Sequence, residues 1–328
     1  MTMNKIFLHI FFSIIFHSFI FSDGPYSFNT ITEQDGLRNG PDYRDGIVYY
    51  PIDIEGPLPI IILVPGFVSS ISSIEDWGPY LASYGVVTMF VNVNNIFQDP
   101  YYRSYALLDG MISIIQENER IDSPLFEMLN IDSIAVGGWS MGGGGAQLAA
   151  QQNSNIKAVI ALSAWLSNSN VTYNNTTSIL FLSGQYDTVA PNSIHSDTFY
   201  NNTPESTEKL LFEISGGNHS TVCSPYNDES MGLKALFWIE KYIIDDSINC
   251  DLLINEPVSA SEFETNVECQ IDLIGDINYD NYLNVQDIVL IVNLILDNEY
   301  DYIADMNYDD YLNIQDIILL INLIFEEL

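Results

Sequence analysis

The run Gly138-Trp139-Ser140-Met141-Gly142-Gly143-Gly144-Gly145 follows the apolar stretch Ser133 to Gly137 and precedes Ala146-Gln147-Leu148-Ala149-Ala150. A serine set among glycines on a strand-to-helix turn exposes a hydroxyl, because only glycine lets neighbouring backbone pass without a Cβ clash. Ser140 is therefore the candidate nucleophile, with Ile134-Ala135-Val136 read as its strand and Ala146 to Ala150 as its helix. A Gly-rich turn can also serve close helix packing in nucleotide-binding folds. Here no G-x-G-x-x-G pattern precedes it and no acidic ribose ligand follows at the expected distance.

A serine hydroxyl needs a base and an acid that orients the base, and behind such an elbow the chain order is Ser, then Asp or Glu, then His. Asp187 ends Gly184-Gln185-Tyr186-Asp187 after the apolar run Ile179 to Ser183, and His219 sits in Gly216-Gly217-Asn218-His219-Ser220 after Leu210 to Ile214. His195, in a helical or turn segment after Pro191, is the poorer base. Such a set attacks an ester carbonyl without a cofactor, and the oxyanion that forms must be held by amide N–H groups. The Met141 amide is one donor; Phe67, in Val64-Pro65-Gly66-Phe67, supplies the other.

A second chemistry lies near the C-terminus. Asp276, Asn278, Asp280, Tyr282, Asn284 and Asp287 recur as Asp305, Asn307, Asp309, Tyr311, Asn313 and Asp316, offset by 29 residues. Carboxylate, amide and carbonyl oxygens at loop positions 1, 3, 5, 7, 9 and 12 have the spacing of an EF-hand calcium loop, with Tyr282 and Tyr311 offering their carbonyls. Asn281 and Asp310 take the glycine position, where residues that tolerate a left-handed backbone are admissible. Calcium is the expected ion, in a structural role. The apolar stretches Val285 to Leu296 and Ile314 to Phe325 follow the loops as helices.

The elements needed to position these groups are legible as alternation. Strands are expected at Ile47 to Tyr50, Ile60 to Val64, Val86 to Val91, Ile134 to Gly137, Ala158 to Leu162, Ile179 to Ser183 and Leu210 to Ile214. Helices are expected near Ile74 to Ser83, Ser104 to Glu117, Gly142 to Gln151 and Met231 to Ile243. Strand-helix alternation predicts an α/β class, a mostly parallel sheet flanked by helices in α/β-hydrolase order, followed by a small all-α module made of the two calcium loop-helix units.

Residues 1–22, with Lys5 before a short apolar run ending near Ser18 and Ser22, read as a cleaved secretory signal, so the expected divisions are 1–22, 23–270 and 271–328. Secretion to an extracellular site follows, with no membrane association after cleavage. The formal charge of −35 excludes nucleic acid and anionic membranes as partners. Of the three cysteines, Cys250 with Cys269 would close a short loop and stabilise the fold by ~3 kcal/mol, leaving Cys223 free.

Val64-Pro65-Gly66-Phe67, Trp77-Gly78-Pro79, Leu81-Ala82-Ser83-Tyr84-Gly85, Gly138-Trp139-Ser140-Met141-Gly142-Gly143 and Gly217-Asn218-His219-Ser220 together resemble the bacterial cutinases and polyester hydrolases, including the poly(ethylene terephthalate) hydrolases. The resemblance implies a monomeric serine esterase acting on polyester. It further implies that Phe67, Met141 and Trp165 flank the scissile ester, that Trp165 stacks on an acyl ring, and that Val189 shares the cleft. Trp139 and Ser220 are expected as further substrate contacts and match variants associated with aromatic polyester, whereas His195 and Phe199 match the bulky pair that restrains the tryptophan in ordinary cutinases. Gly184 and Thr221 occupy the positions of a second disulfide found in some relatives, which is expected to be absent. Asp287 and Asp316, replacing the usual glutamate, resemble type I dockerin modules, which implies a cohesin-like partner. A carbohydrate esterase such as an acetylxylan esterase is the alternative enzyme, and a catalytically silent attachment protein the alternative class.

Overall fold

The computed structural model describes residues 24–168, 175–269, 273–280, 282–309 and 311–326. The expected signal segment lies outside these residues, as do Asn281 and Asp310. The chain divides into two compact units, the first ending at Val267 and the second beginning at Glu268.

In the first unit the strands are β1 (Phe28–Thr32), β2 (Tyr43–Pro51), β3 (Leu58–Val64), β4 (Val87–Val93), β5 (Leu129–Trp139), β6 (Ile156–Leu162), β7 (Ser178–Gly184), β8 (Lys209–Ile214) and β9 (Ala260–Thr265). They form one sheet in the order β1-β2-β4-β3-β5-β6-β7-β8-β9. The six strands from β4 to β8 pair in parallel, and β1, β2 and β9 run antiparallel at the two edges. Every residue of β3 and β4 is buried, as the unbroken apolar runs demand of strands covered on both faces. The register puts Gly138 of β5 beside Val64 of β3 and Trp139 beside Leu162 of β6, so the elbow leaves the sheet at its centre.

The helices are α1 (Trp77–Ser83), α2 (Pro100–Glu119), α3 (Met141–Ala150), α4 (Ser196–Asn202), α5 (Glu229–Ile239) and α6 (Cys250–Ile254). Helix α2 starts before its apolar pattern because Asp99 caps it. The Asp99 carboxylate accepts from the amides of Tyr101 (2.9 Å) and Tyr102 (3.4 Å), and Pro100 supplies a fixed φ at the first helical position. Helices α2 and α3 pack against each other, and α3 also covers β5 and β6. The expected helix to Ile243 is in fact α5 followed by a π-helical turn, Glu240–Ile244.

Two edge strands, β1 and β9, and the short helices α4 and α6 go beyond the elements expected from sequence. Both edge strands are half exposed and lack an apolar run, so neither carries the signal of a buried strand. Cys250 and Cys269 are disulfide-bonded and Cys223 is a free thiol.

The second unit contains α7 (Val285–Asp297) and α8 (Ile314–Glu326), joined through a small core of Ile291, Ala304, Ile317 and Leu320. Asn284 caps α7 by accepting from the Gln286 amide at 2.8 Å, while Asp287 accepts from the Asn284 amide at 2.9 Å.

Candidate active site

Ser140 lies between β5 and α3 at φ 57°, in the left-handed region that a non-glycine residue occupies only under constraint. The constraint is visible. The Ser140 N–H donates to the Leu162 carbonyl at 2.8 Å, and the Ser140 carbonyl accepts from the amides of Gly144 (3.1 Å) and Trp165 (2.8 Å). The helix behind it can approach only because Gly142 lacks a side chain: a Cβ there would lie 2.2 Å from the Val64 carbonyl oxygen.

His219 follows β8, and Asp187 follows β7. His219 Nδ1 lies 2.7 Å from Asp187 Oδ2, and the Asp187 side chain is fully buried. The other carboxylate oxygen accepts from the amides of Val189 (2.9 Å) and Ala190 (2.8 Å). Burial pushes the Asp187 carboxyl up, but the hydrogen bond from His219 and those from the Ala190 and Val189 amides outweigh it, so the group is held below its ordinary value. An ionised acceptor on Nδ1 fixes the imidazole proton there and leaves Nε2 as the basic nitrogen.

Trp139 does more than line a cleft. Its indole N–H donates to the His219 carbonyl at 2.8 Å, and the two rings lie 5.1 Å apart, so the residue before Ser140 fixes the loop carrying His219. Ser220, exposed beside the base, donates its amide to Asn218 Oδ1 at 2.9 Å in the same turn. Trp165 is half buried and stacks on His195 at 6.0 Å, with the ring planes 29° apart. His195 in turn meets the edge of Phe199 at 5.7 Å. Burial lowers the His195 pKa, so this ring is a neutral packing surface behind Trp165.

Met141 opens α3, where the first amides of a helix have no intrahelical acceptor and stay available to a ligand. Phe67 follows β3 with an exposed ring that meets Phe97 edge-on at 6.0 Å. Val189 is exposed two residues beyond Asp187. Sequence gives no sign of Phe97, since a lone aromatic in a loop carries no spacing signal. The same is true of a carboxylate group at the sheet edge, Asp197, Glu213 and Glu262, whose oxygens lie within 4.8 Å of one another.

In the second unit Asp276, Asp287, Asp305 and Asp316 are all buried. Asp287 accepts from the Ile277 amide at 3.0 Å and Asp316 from the Met306 amide at 3.0 Å. Asp280 and Asp309 donate their amides to Asp276 (3.1 Å) and Asp305 (3.2 Å), folding each loop around its first carboxylate. Asn278 and Asn307 contact Asp280 (2.9 Å) and Asp309 (3.0 Å), and Asn284 and Asn313 contact the Tyr282 (3.1 Å) and Tyr311 (3.3 Å) carbonyls. The donor set is oxygen throughout, which suits a hard cation. No lysine, arginine or histidine follows Lys241 to neutralise the buried Asp287 and Asp316.

A mostly parallel sheet with flanking helices and an elbow at the end of a central strand defines an α/β-hydrolase. Lipase 1 of Moraxella sp. (strain TA144) is 30% identical over 246 residues, covering 73% of this chain and 72% of the lipase. Cutinase est1 of Thermobifida alba is 30% identical over 228 residues, covering 68% and 73%. A cutinase of Thermobifida fusca (strain YX) is 28% identical over 227 residues, covering 69% and 72%. The profile of the PET hydrolase-like family matches residues 18–270, and the chain belongs to that family. It is a carboxylic ester hydrolase.

Proposed function

We propose that the chain is a secreted serine esterase that hydrolyses polyesters through an acyl-enzyme, with a calcium-stabilised docking module at its C-terminus. The observation that carries the catalytic reading is the buried Asp187 carboxylate 2.7 Å from His219 Nδ1, with the base loop tied to the residue preceding Ser140.

Ser140 Oγ attacks the ester carbonyl as His219 Nε2 takes its proton, and the Phe67 and Met141 amides donate to the oxyanion. Collapse expels the alcohol, which receives that proton from His219. Water then enters, gives a proton to Nε2 and attacks the acyl carbon, releasing the carboxylic acid and restoring Ser140. Asp187 stays ionised and stabilises the imidazolium in both halves. Phe67, Trp165 and Val189 offer apolar walls to the acyl group, with Trp165 held against His195.

The second unit is read as dockerin-like. Buried Asp287 and Asp316 in a segment without cationic side chains support calcium in both loops, held by the six oxygen donors of each. Calcium would supply charge neutralisation and fix each loop against its helix. Val285, Val289 and Leu296 on α7 and Ile314, Ile318 and Phe325 on α8 are exposed, a surface that suits a cohesin-like protein partner.

The test is release of soluble aromatic acid from amorphous poly(ethylene terephthalate) film by the wild type and Ser140→Ala, with a short p-nitrophenyl ester and acetylated xylan alongside. Film and ester hydrolysis that both vanish in the mutant support the reading. Xylan deacetylation without film attack refutes the polyester assignment. For the module, calcium should raise the melting temperature of the full chain, and Asp276→Asn with Asp305→Asn should abolish that shift.

A further inference from the structure

Arg103, in α2, is fully buried, yet among the described residues its guanidinium has no carboxylate as a hydrogen-bond partner. All five partners are main-chain carbonyls. Nε donates to Pro65 at 2.9 Å, one terminal nitrogen to Gly66 at 2.6 Å and Ile96 at 3.4 Å, and the other to Gln98 and to Asp99 at 3.4 Å. Burial lowers its pKa to about 10, so the group remains a cation at neutral pH. Desolvating a guanidinium is costly; the five main-chain carbonyls and the nearby Asp99 charge offset it here. Gly145 of α3 makes room for it, since a Cβ there would lie 2.6 Å from Arg103 Cβ.

The carbonyls of Pro65 and Gly66 belong to the loop that carries Phe67. The Gly66–Phe67 peptide is trans. In a planar trans peptide the C=O and the following N–H point in opposite directions, so fixing the Gly66 oxygen on Arg103 fixes the Phe67 N–H to point away from it. The loop lies against the nucleophile: a Cβ on Gly66 would be 3.0 Å from Ser140 Cβ. Its far end is fastened to the same neighbouring segment, for the Val68 amide donates to the Ile96 carbonyl at 2.9 Å. Val68 sits at φ 52°, a strained value for a β-branched residue that persists only where surroundings enforce it.

Resting on the serine-esterase reading above, we infer that Arg103 is a positioning residue for the oxyanion hole: it orients the Gly66–Phe67 peptide so that the Phe67 N–H meets the developing oxyanion. Its effect is confined to the step in which carbonyl oxygen acquires charge. Loss of one oxyanion donor in related chemistry costs about 10²–10³ in kcat, and a donor left mobile should cost on the order of 10–10².

The experiment compares a p-nitrophenyl ester with its thionoester, in which sulfur replaces the carbonyl oxygen and accepts hydrogen bonds poorly. Arg103→Lys and Arg103→Gln are measured against the wild type and Ser140→Ala, with circular dichroism and melting temperature for each. Arg103→Gln should lose roughly 10- to 100-fold in kcat on the oxygen ester with KM changed less than about threefold. The oxygen-to-sulfur ratio of kcat/KM should shrink by the same factor, and Arg103→Lys, which keeps a cation, should fall between. Folded variants that lose both activities equally, or neither, would overturn the assignment. So would a chain that folds with neither residue, since Arg103 would then be a folding requirement. Retained activity in Ser140→Ala is a different result: it sinks the esterase reading itself, whatever the ratios do.

Discussion

Asp187→Asn isolates the role of the acid because the replacement keeps shape and removes charge. One oxygen of Asp187 accepts two amides, from Val189 and Ala190, and the other faces His219 Nδ1. An asparagine has one acceptor and one donor end. The NH2 group cannot face the two amides, where three donors would meet in a buried space, so its oxygen must stay there and its NH2 must face His219. Nδ1 can then only accept, and the imidazole proton moves to Nε2, the nitrogen that must be basic. The expected loss in kcat is about 10⁴-fold, or roughly 5 kcal/mol of transition-state stabilisation, with KM little altered. Stability should fall by about 1–3 kcal/mol at neutral pH from the lost charged hydrogen bond. Because the folded carboxyl is held low, its contribution is present above the unfolded pKa and vanishes as pH falls through the folded value. The melting-temperature gap between wild type and mutant should therefore close in acid. Steady-state hydrolysis of a p-nitrophenyl ester across pH, with thermal melts in parallel, reads both. A loss below about tenfold in a folded Asp187→Asn would refute the tautomer argument.

Gly142→Ala would bring a Cβ to 2.2 Å from the Val64 oxygen and 2.9 Å from that of Pro65; since both are backbone, we expect a loss of about 1–3 kcal/mol in denaturant unfolding, together with impaired turnover. Burial raises the Cys223 thiol to about 12, so a disulfide-exchange reagent should titrate essentially no thiol in the folded protein at pH 7 and a single one after unfolding without reductant. The Asp197 carboxyl is pushed up first by burial and then by Glu213. Its folded pKa lies above its unfolded one, so the stability it confers is present in acid and declines as pH rises between the two. Asp197→Asn should accordingly raise the melting temperature at pH 7 and have little effect near pH 4.

The parts of the site that could be read from sequence are those whose chemistry forces a local pattern. A candidate nucleophile on a strained turn requires glycines beside it, and the candidate acid and base at strand ends appear as Asp187 and His219 after apolar runs. The two C-terminal loops are legible as a repeated spacing for the same reason, since alternate oxygen-bearing residues in a short loop leave a fixed pattern. Edge strands left no such mark: β9 reads ASEFET, with charge on one face and partial exposure on the other. Helix α2 began earlier than its apolar periodicity suggested because Asp99 and Pro100 start it, and a capping pair precedes rather than joins the pattern.

What sequence hides is the set of bonds that hold the loops of the candidate site in place. Trp139 reaches across 80 residues to the His219 carbonyl, and Arg103 across 38 to Pro65 and 37 to Gly66. Both are side-chain donors meeting main-chain acceptors. A carbonyl is present at every position, so the acceptor contributes nothing to the pattern of residue types. Only the donor is left as a trace, which in α2 is the buried Arg103. The same logic applies to Trp139: its place beside Ser140 is legible in sequence, whereas the partner of its indole N–H is not. Loops that must stay rigid to sub-ångström tolerance are fastened by such bonds because a side-chain to side-chain pair would add the rotamer freedom of a second group. Perturbing either donor should therefore reach the chemistry without touching a catalytic side chain.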